Sequence, residues 1–218
     1  MINAVILTRI GLIIFSIFAS FYFPKNNNGE QITFQNSFQF YWQSLGQWDG
    51  GNYLHIAASG YQQFQDYAFF PLYPLFIKLL NIIFNNPVFS GIVISNISFL
   101  LFLFFLHRYV KTKFSDSIAK NTVLTYLFFP TAFYTTIVYS ESLFLLFLIL
   151  FFLFLENKKY SQMIVFAMFA QLTRFRGIFL VISAFIKIVK NQKLEKNLIF
   201  VPLSALGTLI YSAFQWQK

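Results

Sequence analysis

The chain has 218 residues, 57% of them hydrophobic and 22% aromatic, with only 11% charged. Soluble domains carry about 25% charged residues, and 33 phenylalanines are more than one globule of this size can hide, which excludes a soluble domain and implies an integral membrane protein. The net charge of +9 comes from basic residues in short connectors between apolar runs, a pattern of membrane topology and not of nucleic-acid binding; the absence of cysteine removes disulfides, thiol nucleophiles and cysteine metal sites.

Ala4 to Phe23 is about the 20 residues that cross a bilayer. Arg9 falls near its start and is expected to snorkel to the headgroups. A cleaved signal peptide is the competing reading, but Ala19 and Ser20 are followed by bulky Phe21, Tyr22 and Phe23 instead of a small-residue cleavage site. Pro24 to Phe40 is polar and turn-prone and reads as a loop. The stretch Trp48 to Pro74 then stands apart from both spans and connectors. It holds a Trp-Asp pair, the Gly50-Gly51 break, an amphipathic run ending at Gly60-Tyr61, and an aromatic segment broken by Pro71 and Pro74. It reads as a loop lying on the membrane face. Its continuation to Phe84 contains Lys78 as well as the prolines, which suits a surface-lying or re-entrant helix better than a clean span.

Val88 to Leu106 reads as a transmembrane helix, followed by a basic connector with Arg108, Lys111, Lys113 and Lys120 against Asp116. Thr122 to Leu155 as one helix would be about 50 Å long against a hydrocarbon core of about 30 Å. Pro130-Thr131 and Ser140-Glu141-Ser142 predict a bend between two short legs, with irregular backbone that must be buried in protein or line a wet cavity. Glu156 to Lys159 is a charged turn. Met163 to Leu172 rises to Thr173-Arg174-Phe175-Arg176-Gly177, Ile178 to Val189 returns, and a second basic connector precedes the last apolar run, Leu198 to Phe214. The positive-inside rule places the connectors after 107, 156 and 187 in the cytoplasm and residues 25–66 outside. Alternation then sets Asp49, Glu141, Arg174 and Arg176 on one external face. The expected architecture is all-α and polytopic, one transmembrane domain over 1–218. Its parts are a first span to 23, an external loop over 24–87 and further spans over 88–218.

The blocks WDGGNYLHIAASGY, AFFPLYPLFIKLL, FPTAFYTTIVYSESLFLL and LTRFRGIFL, in that order from Trp48 to Leu180, resemble the mannosyltransferase family of the second GPI-anchor mannosyltransferase and its prokaryotic relatives, within the GT-C glycosyltransferases. The resemblance implies transfer of a hexose, mannose above all, from a polyprenyl-phosphate donor on the non-cytoplasmic face. The membrane would be the plasma membrane in a prokaryote and the endoplasmic reticulum in a eukaryote. Partners so implied are membrane lipid, the lipid-linked donor, an unnamed glycan or lipid acceptor, and a second polypeptide completing the fold, since family members are longer and this chain matches an N-terminal half. Two positions depart from the pattern. Asn52 stands where His or an aromatic residue is common, and Phe175-Arg176 replaces a small-polar or proline pair.

Read alone, Asp49 is a cap or turn residue before Gly50-Gly51; under the resemblance it is the general base, the acidic residue of the first external loop. A lone carboxylate fits such chemistry, because the attacking hydroxyl needs a base while a polyprenyl phosphate leaves as a stable anion. Trp48 and His55 are candidate substrate contacts beside it. Glu141 is either a donor or acceptor positioner or the start of an interfacial helix capped by Ser140. Arg174 and Arg176 suit a donor phosphate, with snorkelling or an Arg174–Glu141 ion pair as the plain alternative. His107 is expected at a cytoplasmic helix end, and Asp66 as a solvated loop charge. No cofactor is required and no metal site is assigned, although nothing rules out a divalent ion. A lipid-linked-sugar transporter or flippase, or a non-catalytic membrane subunit, are the rivals from other classes.

Overall fold

The fold, described here by a computed structural model over residues 2–22, 41–42, 44–190 and 198–216, has no strand among the described residues. Its helices are α1 (Ile2–Tyr22), α2 (Asp49–Ser59), α3 (Leu72–Phe84), α4 (Pro87–Lys111), α5 (Asp116–Leu127), α6 (Glu141–Glu156), α7 (Tyr160–Thr173), α8 (Phe179–Lys190) and α9 (Leu206–Trp216). Three 3₁₀ turns punctuate them at Phe64–Ala68, Pro130–Thr135 and Phe175–Ile178. The expected loop over Pro24 to Phe40 and the lysines at 193 and 196 lie outside the described residues.

Local chemistry sets the boundaries. Asn86 accepts a hydrogen bond from Phe89 N at 3.0 Å, and Pro87 occupies the first turn of α4, where its missing N–H costs nothing. Ser115 caps α5 through Ile118 N. The long apolar run breaks as expected, with α5 stopping at Leu127 and α6 starting at Glu141. The last apolar run does not form one helix: a single turn, Phe200–Leu203, gives way at Ser204 and Ala205 to α9. The stretch Trp48 to Pro74 is more helical than a surface loop, since the Gly50-Gly51 pair lies inside α2 and does not break it.

α6 is the central helix, packed on α4 along one side and on α7 along the other. Ala167 and Ala170 are fully buried and let α6 and α7 approach closely around Phe151 and Met163, with Ala184 of α8 buried in the same cluster. A second cluster joins Val5 of α1 to Phe99, Phe102 and Leu103 of α4 and to Val123 of α5. Outward positions such as Ile14, Ile82, Ile83, Leu100 and Phe104 are exposed and apolar. Among the described helices α4 is the one both long and apolar enough to cross a membrane. Its 25 residues span about 37 Å.

Arg9 does not snorkel. Its guanidinium carbon lies 4.1 Å from the centroid of the Phe99 ring, and Nη2 donates to Thr135 Oγ1 at 3.3 Å. A cation facing an aromatic ring inside the bundle recovers part of its lost hydration there. At one end of the bundle the basic connectors gather on two carboxylates. Glu156 meets Lys113 at 2.8 Å and Lys187 at 3.0 Å, while Asp116 meets Lys111, Lys120 and His107.

Candidate active site

Away from those connectors, the backbone between Pro130 and Ser140 runs irregularly and finds its partners in protein. Ser95 Oγ donates to Tyr139 O at 3.0 Å, Asn96 Nδ2 to Thr136 O at 3.1 Å, Ser142 Oγ to Thr135 O, and Val138 N to Leu45 O. This satisfies the condition for irregular backbone in an apolar bundle. It also hangs the bend on α4 at Ser95, about 12 Å along the helix from Pro87.

The bend in turn seats α2. A Cβ on Gly50 would come within 2.9 Å of Val138 O, so only glycine lets the start of α2 approach so closely. Asp49 is therefore the first residue of a helix, exposed, and preceded by Trp48 in a left-handed conformation at φ 52° with no side-chain cap. Trp48 is 75% exposed.

The third wall comes from α7. Its last residue, Thr173, is fully buried, and the chain leaves the helix at Arg174 in an extended conformation before the Phe175–Ile178 turn. Gly177 N donates back to Arg174 O at 2.9 Å. A cavity of about 220 Å³ opens between these walls, lined by Asp49 and Tyr53 from α2, by Ala68, Phe69 and Phe70, and by Thr173 to Arg176. Asp49, Arg174 and Arg176 thus share one cavity, whereas Glu141, expected on the same face, does not line it.

The other candidates fall differently. Arg174 Nη1 pairs with Glu141 Oε1 and donates to Ser140 Oγ at 3.3 Å. The ion-pair alternative is therefore realised, and among the described residues Arg174 Nη2 and Nε have no hydrogen-bond partner. Ser140 does not cap α6. Its hydroxyl instead meets Tyr53 OH at 2.7 Å and Arg174, with Ser140 itself fully buried. Glu141 Oε2 is buried without a hydrogen-bond partner. Arg176 is exposed and in no ion pair among the described residues.

His55 does not line the cavity. Six residues after Asp49, it falls on another face of α2, where Nε2 lies 3.7 Å from Asp66 Oδ2. Asp66 is not a solvated loop charge, being buried and accepting from Gln62 N at 2.9 Å and Gln63 N at 2.8 Å. The Gln63 N–H above all, against the opposing effect of burial, holds its carboxyl below the ordinary range. The signal lay in the sequence: Gln63 and Asp66 stand at cap spacing for the Phe64–Ala68 turn. Tyr53, which sequence reasoning missed, and Ser140, expected there only as a helix cap, form the hydrogen-bonded bridge from α2 to the start of α6. Among the described residues no cluster of His, Asp and Glu suits a metal ion.

The sequence profile of the family described as Mannosyltransferase (PIG-V) matches residues 4–214. The chain belongs to the mannosyltransferase (PIG-V) family. The match spans every wall of the cavity, from Asp49 in α2 to Arg176 after α7. This PIG-V family chain is also 30% identical over 173 residues to GPI mannosyltransferase 2 of Schizosaccharomyces pombe (strain 972 / ATCC 24843), an alignment covering 77% of the chain and 37% of that protein. It therefore spans well under half the length of this curated relative. No solved structure matches the PIG-V family chain.

Proposed function

We propose that this chain forms the catalytic part of a polytopic membrane glycosyltransferase. It moves a hexose, with mannose the first candidate, from a polyprenyl-phosphate donor to a glycan or lipid acceptor on the non-cytoplasmic face. The observation that carries the reading is the cavity lined both by one carboxylate residue, Asp49, and by the two arginines Arg174 and Arg176. Family membership supports the same chemistry.

In this mechanism the acceptor hydroxyl oxygen attacks the anomeric carbon as its proton passes to the Asp49 carboxylate. The bond from that carbon to the phosphate oxygen breaks, inverting the centre, and polyprenyl phosphate leaves as an anion with no acid needed. Arg176 meets the phosphate from solvent. Arg174, held in place by Glu141 and Ser140, adds its two remaining donor nitrogens. Trp48 flanks the opening as an exposed aromatic surface, and His55 acts through the Asp66 turn, not on substrate. No cofactor enters these steps. The membrane is the plasma membrane in a prokaryotic source and the endoplasmic reticulum in a eukaryotic one.

Two measurements test this reading. Removing the Arg176 guanidinium (Arg176→Ala) deletes a charged hydrogen bond of about 1.5–3 kcal/mol, so the apparent KM for donor should rise about 10- to 100-fold while protein level holds. A donor dependence equal to wild type would remove Arg176 from the site. The orientation is tested by thiol labelling, for which the cysteine-free chain is a clean background. Cysteine placed at Lys158, beside the basic connectors, should be shielded from an impermeant reagent in intact cells. Cysteine at Gln65 should label. The reverse pattern would put the cavity on the cytoplasmic face.

A further inference from the structure

Beside the charged cavity lies a second concavity of different chemistry. It has a volume of about 710 Å³ and is lined by Phe64, Gln65, Tyr67, Ala68 and Gln215. Ala68 belongs to both cavities, so the two are neighbours across one small side chain.

None of the residues lining this cleft is charged. A phosphate, carboxylate or ammonium group would find no counter-charge there. What the cleft offers is one flat apolar face and two amides. Phe64 is 96% exposed, a ring presented to whatever enters. Gln65 Nε2 donates to Gln63 Oε1 at 2.7 Å, and Gln215 Nε2 donates to Tyr67 O at 3.0 Å. Each amide is thereby oriented and keeps its carbonyl oxygen as an acceptor and a second N–H as a donor.

The backbone that carries these groups is braced. Tyr211 OH donates to Tyr67 O at 2.9 Å and lies 3.1 Å from Phe69 O, and the Phe64–Ala68 turn is closed by Asp66 on Gln62 N and Gln63 N. The Tyr67 ring packs against Tyr61 and Phe214. An open cleft held by so many contacts does not owe its shape to an occupant, and preorganisation of this kind lowers the cost of binding.

A neutral pyranose matches that inventory. It has one face of C–H groups for an aromatic platform and a rim of hydroxyls, each both donor and acceptor, for oriented amides. We infer that the Phe64–Gln65–Gln215 cleft binds a neutral sugar of the acceptor, next to the cavity in which Asp49 takes the acceptor's proton. The assignment rests on the transferase reading above and divides the site by charge. The anionic donor goes to the arginines and the neutral acceptor to the glutamines.

The test uses the full chain in lipid nanodiscs, with methyl mannoside and mannobiose as probes, read by saturation-transfer NMR. Mannobiose should bind the parent protein. Phe64→Ala, a change at a side chain almost wholly in solvent, should weaken it about tenfold. Gln215→Ala should weaken it as well, and Phe64→Tyr should retain it. Polyprenyl-phosphate binding should be unchanged in all three. Mannobiose binding unaltered by both alanine variants overturns the assignment. So does a Phe64→Trp variant whose added fluorescence is quenched by brominated acyl chains and not altered by mannobiose, because Phe64 would then be a lipid anchor. The two readings fail separately. Loss of the cleft result in a protein that still transfers normally leaves the catalytic cavity standing. Sugar binding that persists at Phe64 when Asp49→Asn is fully active leaves the cleft standing and removes the chemistry.

Discussion

Replacing Asp49 with asparagine should lower hexose transfer by about 10²–10⁴-fold, the usual worth of a positioned general base. Asn keeps the size of the side chain and its ability to stand at a helix start, so the substitution separates chemistry from structure. Asp49 is exposed and caps nothing through its own side chain as far as the described bonds show. Its loss as a carboxylate should therefore leave thermal stability and polyprenyl-phosphate binding near wild type. The measurement is turnover at saturating donor, in an assembly already shown to be active. Near-normal turnover in Asp49→Asn would end the mechanism, and Glu141, with one oxygen buried and unpartnered, would be the next carboxylate to try.

A single methyl group at Gly177 should disable the site by another route. A Cβ there would sit 2.5 Å from Gln171 N, 2.6 Å from Gln171 Cα and 2.7 Å from Ala170 C. All three are backbone atoms of α7 and cannot swing aside as a side-chain tip would. Gly177→Ala must push the Phe175–Ile178 turn off the end of α7, costing about 1–3 kcal/mol as overpacking does. Arg174 and Arg176 stand immediately before that glycine. We expect a lower melting temperature in detergent together with a fall in donor affinity, whereas Gly11→Ala, at a glycine inside α1 whose Cβ would meet nothing within 4 Å, should lower neither. Unaltered melting and donor affinity in Gly177→Ala would show that the turn has slack.

What could be read in the sequence was mainly what neighbouring residues decide. Pro130 and the Ser140-Glu141-Ser142 cluster marked the break between α5 and α6, and the Gly60 boundary of α2 and the turn after Glu156 fell where composition changes. Counting spans set Asp49, Glu141, Arg174 and Arg176 on one face; the structure brings three of them to one cavity and pairs Glu141 with Arg174 at its side. Partner choice was not legible. Arg9 turning onto Phe99 depends on where α4 lies beside α1, and Ser140 serving Tyr53 and Arg174 in place of its own helix depends on α2 and α7. His55 was misplaced for a related reason. Gly50-Gly51 suggested a broken chain, whereas packing against Val138 rewards glycine inside a helix.

Gln171 ties the cavity to the last helix. It is fully buried, donates from Nε2 to Ser204 O, and accepts from Thr208 N at 2.9 Å and Thr208 Oγ1 at 3.2 Å. Every one of these partners lies more than thirty residues downstream, while Arg174 stands three residues after Gln171, just past the end of α7. During synthesis α7 is therefore finished long before the groups that satisfy its buried amide exist. Until Thr208 has emerged, the amide stays unpaired at a cost of about 1–3 kcal/mol, and the turn that aims the arginines has no firm backing. The packing of Gln171 behind the arginine turn is thus a late event in the life of the chain, complete only once Ser204 and Thr208 have emerged.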